Sequence, residues 1–181
     1  FALENNCEVS FPPIIASAAN AAEPHHQTNE TSLARGFCVI DLGLKINGYC
    51  SDLSRTIFIG EPNNEERTVY ELVKKAQAES AALVKPGIRA SEIDLVCRQI
   101  LGEKEKYFIH GLGHGVGTAV HEWPSISGVS HAVLDAGMII TIEPGIYESG
   151  KYGIRIEDDI LVTENRAEVL NQATKELITI T

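Results

Sequence analysis

The chain has 181 residues, 25 acidic and 15 basic, for a net charge of −10, with 44% hydrophobic and 22% charged residues. That length and polarity suit one domain with a sizeable core. The acidic balance excludes a nucleic-acid backbone or an anionic membrane surface as natural partner, and no apolar run approaches membrane-spanning length.

Residues 7–19 (CEVSFPPIIASAA) alternate weakly and are broken by Pro12 and Pro13, which predicts an edge strand. A polar loop with His25 and His26 follows and ends at Gly36. Phe37 to Gly60 reads as two strands joined at Asn47-Gly48, the dipeptide best suited to a tight hairpin turn. With the turn centred there, Asp41 lies opposite Ser54 and Gly43 opposite Asp52. Asp41 and Asp52 then become diagonal neighbours, roughly 7–8 Å apart. Two carboxylates in one space on an apolar hairpin are costly unless a positive charge sits between them. On this stretch alone, an exposed edge hairpin with two solvated aspartates is the alternative.

Asn63, with Glu66 three residues on, predicts a capping box opening a helix whose apolar stripe is Val69, Leu72, Val73, Ala76 and Leu83. Pro86-Gly87 stops it. Ser91 with Asp94 is expected to cap a second, shorter helix burying Ile93, Val96, Cys97 and Ile100. Residues 107–124 (YFIHGLGHGVGTAVHEWP) are different, holding His110, His114 and His121 among closely spaced glycines that let backbone and imidazoles approach a common point.

Met138 to Val162 is strand-rich, with Ile139, Thr141 and Glu143 expected on one face, and Arg155, Glu157 and Asp159 on one face of the returning strand. The tail after Thr163 is expected to add edge strands. I-D-L-G-L at 40–44, followed by Asp52, is echoed by I-E-P-G-I at 142–146, followed by Glu157. The echo suggests two similar halves across a pseudo-two-fold, each supplying two acids to one centre. Oxygen ligands with one imidazole suit Mn, Co, Fe or Zn better than Ca. Four convergent carboxylates are balanced by two divalent cations and left mutually repelled by one.

IDLG…GYCSDLSRT, HGLGHGVG…HEWP, TIEPGIY and GIRIEDD, in that order, resemble the metal-dependent pita-bread peptidases, the family of methionine aminopeptidase, aminopeptidase P and prolidase. The resemblance runs from Phe11 to Val169, and SDLSRT, HEWP and GIRIEDD look like the proline-specific members. It implies an α+β pita-bread fold: pseudo-two-fold halves with a curved, mainly antiparallel sheet covered by helices. It also implies a single catalytic domain over 1–181, here expected to lack its N-terminal helices and any upstream domain, because the sequence begins at Phe1.

The implied metal ligands are Asp41, Asp52, His114, Glu143 and Glu157, with Asp52 and Glu157 bridging two divalent ions, Mn2+ or Co2+ first, Zn2+ or Fe2+ as alternatives. Glu143 is the implied proton shuttle for a bridging water or hydroxide that attacks the peptide bond. His121 is implied at the scissile carbonyl, His110 in the pocket for the substrate's C-terminal side, and Arg155 orienting Glu157 or shuttling protons. A further pocket histidine is His25, directly after Pro24, with His26 as alternative, because Pro-His-His stands where the family carries one histidine in a slightly longer loop. The implied activity is an exopeptidase cleaving Xaa-Pro bonds in short peptides, an Xaa-Pro dipeptidase (prolidase) first, with aminopeptidase P or methionine aminopeptidase as alternatives. Pita-bread domains also serve as peptide-binding scaffolds or metal-free hydrolases such as creatinase, but the complete acid set argues against both. Trp123 and Pro124 are expected to pack in the pocket wall, Tyr147 to pack in the core or face the pocket, His131 to lie at the surface, and Asp158 and Asp159 to stand behind the ligands or in solvent. The four cysteines (Cys7, Cys38, Cys50, Cys97), with no C-x-x-C pair, are expected to be reduced and largely buried, as in a cytoplasmic protein. The full-length protein is expected to be a homodimer.

Overall fold

The computed structural model describes residues 2–5 and 7–181. After a 3₁₀ turn (Leu3–Asn5) come β1 (Glu8–Val9), β2 (Ile14–Ser17) and a second 3₁₀ turn (Ala18–Ala22). Strands β3 (Gly36–Leu42), β4 (Leu44–Ile46), β5 (Tyr49–Cys50) and β6 (Leu53–Ile59) follow, then helices α1 (Asn64–Leu83) and α2 (Ala90–Leu101). The second half holds β7 (Gly113–Gly115), β8 (Glu122–Ile126), β9 (Ile139–Ile142), β10 (Gly145–Glu148), β11 (Tyr152–Arg155), β12 (Asp158–Val162), β13 (Ala167–Val169) and β14 (Thr179–Ile180). Two larger sheets, ordered β13-β12-β9-β7-β8 and β14-β6-β3-β2, are joined by the smaller sheets β1-β4-β5 and β10-β11. Among the described residues, every pairing is antiparallel except β14 with β6.

The hairpin register is the one the Asn47-Gly48 turn dictates. Asn47 (φ 51°) and Gly48 (φ 86°) both take the left-handed conformation such a turn requires. Asp41 pairs with Ser54 and, nearer the turn, Lys45 with Cys50. The ladder is nevertheless interrupted at Gly43, where a Cβ would lie 1.9 Å from the Ser51 carbonyl oxygen. Beyond that crossing, β4 and β5 leave the sheet of β3 and β6, and β4 pairs with β1 on its other side.

The second hairpin is built the same way, with β9 and β12 as outer pair and β10 and β11 as inner pair. The acid-x-Gly echo therefore marks the break in each hairpin, but its second acids are not counterparts. Gly145 pairs with Arg155 and Ile142 with Asp158, so Glu143 faces Glu157 where Asp41 faces Ser54. The register makes Ser54 the counterpart of Glu157, and Arg155 that of Asp52. Glu143 and Glu157 also lie just outside the strands, in the breaks, rather than on continuous strand faces.

Helix α1 opens with the expected capping box: Asn63 Oδ1 accepts from the Glu66 amide at 2.9 Å, and Glu66 Oε2 from the Asn63 amide at 2.7 Å. Its Val69, Tyr70, Val73 and Ala76 join the core with Phe37, Phe58, Ile140 and Ile154. The Ser91–Asp94 cap does not form; α2 begins at Ala90, with no side chain capping it. Asp94 is buried instead, accepting from the Leu112 amide (3.2 Å) and Arg98 Nε (2.7 Å). The acid one turn inside α2 thus holds the glycine-rich segment against the helix, a use that competes with capping.

That segment contains strands, contrary to its irregular pattern, because its glycines admit neighbouring backbone. A Cβ on Gly113 would lie 2.0 Å from the Thr141 carbonyl oxygen, and one on Gly115 2.3 Å from that of Trp123. Gly113→Ala is expected to cost about 1–3 kcal/mol through overpacking, read as a lower urea midpoint. The tail adds β13 and β14 at sheet edges, and β2 is likewise an edge, as expected. All four cysteines are free, three of them buried and Cys50 half-buried. Among the described residues, no helix is long and apolar enough to cross a membrane.

Candidate metal centre

The breaks in the two hairpins and the middle of β7 aim their side chains into one cavity of about 700 Å³. Asp41 comes from the end of β3, Asp52 from just before β6, His114 from β7, Glu143 from just after β9 and Glu157 from just before β12. Their atoms form donor groups spanning no more than 4.8 Å: Asp41, Asp52 and Glu157; His114, Glu143 and Glu157; and Asp52, His114 and His121. Glu157 belongs to both carboxylate-rich groups and Asp52 to two of the three.

Left to themselves, these groups repel. Burial, with Asp41, Glu143 and Asp159 nearby, pushes Asp52 up to about 8. Burial also pushes Glu143 up to about 8, and burial beside Glu143, Asp52 and Asp41 drives Glu157 well above the usual carboxylate range. Asp41 Oδ1 and Asp52 Oδ1 are buried without a hydrogen-bond partner. Burial lowers His114 to about 4, so the ring is neutral at pH 7. Its Nδ1–H donates to the Gly115 carbonyl at 3.0 Å, which leaves the Nε2 lone pair aimed at acceptors. Nε2 lies 3.4 Å from Glu143 Oε1 and 3.7 Å from Asp52 Oδ2. A lone pair facing carboxylate oxygens, beside orphaned buried oxygens, is what divalent cations relieve. The donor set fits them.

Behind the acids lies a hydrogen-bonded chain centred on Arg155. Its Nη2 donates to Asp41 Oδ2 at 2.6 Å, Nε to Ser54 Oγ at 2.7 Å, and Nη1 to Tyr147 Oη at 2.9 Å and the Pro24 carbonyl at 3.1 Å. The Ser54 hydroxyl in turn donates its own hydrogen bond to Glu157 Oε2 at 2.7 Å. His110 Nδ1–H donates to the Gly111 carbonyl at 2.7 Å, so Nε2 accepts from the Tyr147 hydroxyl at 3.0 Å. Burial, against that bond and beside Arg155 and His25, holds His110 down to about 4.

Residues 1–164 match metallopeptidase family M24. The chain belongs to this family. It is 47% identical over 172 residues to an Xaa-Pro dipeptidase of Pyrococcus furiosus, covering 93% of this chain and 49% of that protein. Among solved structures, the prolidase from Thermococcus sibiricus superposes with TM-score 0.93 at 44% identity, covering 96% of this chain and 48% of that one. The X-Pro aminopeptidase from Thermotoga maritima superposes with TM-score 0.91 at 36% identity, covering 95% and 50%. The chain spans about half the length of the curated relatives it matches, 49% of the first. The α+β architecture is the expected pita-bread fold.

Within this M24 fold the expected side chains converge, with some changes of partner. Arg155 touches Asp41 directly and Glu157 only through Ser54. His121 stands at the exposed rim, its ring edge-on to His114 with centroids 4.3 Å apart. His25 and His26 both reach the cavity wall, so neither is excluded; His26 Nδ1 is tied to Glu23 Oε2 at 2.8 Å. Trp123, expected in the wall, is 68% exposed and lines no part of the cavity, nor does Pro124, which is buried beside it; from β8 only Ser125 reaches the cavity. His131 is exposed, whereas Asp158 and Asp159 are buried rather than solvated. Tyr147 is core-packed, reaching the site only through His110 and Arg155. Ser54 went unrecognised as a site residue; its place opposite Asp41 was legible, but a lone hydroxyl carries no spacing signal.

Proposed function

We propose that this chain forms the metal-binding catalytic half of an exopeptidase that hydrolyses Xaa-Pro bonds in short peptides, with Xaa-Pro dipeptides first. The observation that carries this reading is Glu157, shared by two donor groups in one cavity. Asp41, Asp52 and Glu157 would hold one divalent cation, and His114, Glu143 and Glu157 the other, Mn2+ or Co2+ by the oxygen-rich set with one imidazole. When bound, such a pair lowers the pKa of a shared water and polarises the substrate carbonyl.

The chain's own groups do the rest. Glu143 takes the proton from the attacking water and delivers it to the departing proline nitrogen. His121, on the open side of the cavity, hydrogen-bonds the carbonyl oxygen as negative charge develops on it. His110 and His25 line the side where the substrate's C-terminal part lies. Phe11, Pro12, Pro13, Ile14 and Pro24 provide an apolar wall for a pyrrolidine ring, whose missing N–H leaves no donor to satisfy. Names among the relatives support the Xaa-Pro reading, for dipeptidase and aminopeptidase alike.

Mn2+-loaded protein is expected to cleave Ala-Pro faster than Ala-Pro-Gly and to leave Met-Ala-Ser intact, by product chromatography. Preferential cleavage of Met-Ala-Ser would move the chain to the methionine aminopeptidases. No bound metal and no turnover would favour a binding scaffold.

A further inference from the structure

The tail beyond the family-matched residues 1–164 is bonded into the back of the centre. Leu170 donates its amide to the Asp159 carbonyl at 2.9 Å, and Asn171 Oδ1 accepts from the Asp159 amide. Asp159 Oδ2 in turn accepts from the amide of Asp52 at 3.1 Å. A few residues on, Lys175 Nζ donates to Asp158 Oδ2 at 2.6 Å and to Gln77 Oε1 at 2.9 Å. Gln77 Nε2 completes the ring by donating to Asp158 Oδ2 at 3.1 Å.

Arg55 links this ring to Glu157. Its Nη2 donates to Asp158 Oδ1 at 2.6 Å and to the Ala173 carbonyl at 2.8 Å, and its Nε to the Thr174 carbonyl at 2.9 Å. Its Nη1 donates to the Ser54 carbonyl at 2.9 Å and to the carbonyl of Glu157. Every N–H of the guanidinium is thereby used, so a stronger pull from Asp158 is drawn from its other acceptors, the Glu157 carbonyl among them. This matters because Glu157 sits in the break between β11 and β12, outside any ladder. Its amide donates to the Ser54 carbonyl at 3.1 Å, and its carbonyl depends on Arg55.

We infer that Lys175 is a positioning residue for the cation-binding centre, acting through Asp158 and Arg55 on the backbone of Glu157; this rests on the two-cation reading above. Asp158 is fully buried and divides its two oxygens between the two cationic side chains. Without Lys175, Oδ2 keeps only the neutral Gln77, and the buried carboxylate draws on Arg55 alone. The guanidinium then shifts toward Asp158 and away from the Glu157 carbonyl. Lys175 lies behind the sheet and lines no part of the substrate cavity, so its loss acts on the cations and not on substrate contacts.

The test compares wild type, Lys175→Met, Lys175→Arg and Glu176→Gln by calorimetric titration with Mn2+ and by kcat and KM on Ala-Pro. Glu176 sits on the same segment with its side chain 78% exposed and serves as the control. Lys175→Met is expected to weaken Mn2+ binding about tenfold, the low end of the cost of losing an outer-shell partner because two side chains stand between Lys175 and Glu157, with KM unchanged. Lys175→Arg is expected to restore most of that loss, and Glu176→Gln to cause none. If Lys175→Met is insoluble, Lys175→Gln, which can donate to Asp158 without a charge, carries the same comparison. Wild-type Mn2+ affinity in the uncharged variant, even at a lower melting temperature, overturns the inference and leaves Lys175 as a stabilising contact. Failure of wild type itself to bind Mn2+ overturns the two-cation reading.

Discussion

Glu157→Gln is expected to abolish Ala-Pro hydrolysis, lowering kcat by at least about a thousandfold, well beyond the ~10–100-fold loss that follows removal of an outer-shell partner. Glu157 is the side chain common to the Asp41/Asp52 and His114/Glu143 groups, so its loss weakens both sites together. Asp41→Asn is expected to be milder for metal content, because His114, Glu143 and Glu157 remain as a complete group. Asp52→Asn should fall between, since Asp52 lies in two groups but leaves His114, Glu143 and Glu157 intact. Metal analysis after dialysis separates the variants: close to no Mn2+ per chain for Glu157→Gln, about one for Asp41→Asn and about two for wild type. Glu157→Gln chains that keep the wild-type metal content would end the shared-ligand assignment. The same variant should melt higher than wild type without metal at pH 8, because a neutral amide replaces a buried acid that resists ionisation.

The turn at Asn47-Gly48 made Asp41 and Asp52 legible as a pair, because a period-two strand leaves no freedom once the turn is placed. The echo at Glu143 likewise located the second hairpin. Which positions correspond between the hairpins was not legible, because it depends on the opposing register, and the loops between the acids differ in length. The strand break at Gly43 and the strand that begins at Gly113 were hidden for a related reason. Both look like ordinary glycines until the carbonyls of Ser51 and Thr141 are placed against them. The Ser91–Asp94 cap failed because Arg98 and the Leu112 amide, the latter contributed from outside the helix, offer Asp94 stronger partners. Ser54, Tyr147 and Lys175 share this limitation. Each acts through a partner far away in sequence, and local patterning carries no trace of such a bond.

Stability of the cation-free protein is expected to fall as pH rises from about 4 to 8, most steeply above about 6.5. Asp52 and Glu143 titrate near 8 in the fold and Glu157 well above its ordinary value, against about 3.9 and 4.3 for free Asp and Glu. Over that interval the folded chain holds protons that the unfolded chain has released, so raising the pH favours unfolding. Asp159, raised to about 6 chiefly by burial, adds to the fall at the lower end. His110 and His114 oppose it. Both are lowered to about 4, against about 6.5 when unfolded, so they contribute stability that grows between those values and is complete above them. Above about 6.5 that compensation is exhausted, and the carboxylates act alone. Divalent cations compete with the same protons, so the rise in melting temperature on adding Mn2+ is expected to be small at pH 5.5 and large at pH 8. Binding should also release protons, detected by calorimetry in buffers of different ionisation enthalpy. A melting temperature that rises from pH 6.5 to 8 without metal, or Mn2+ binding with no proton release at pH 7, would mean that the acids are already ionised in the empty site. The ion pair from Arg155 to Asp41 would then have to neutralise far more of the cluster than its single charge allows.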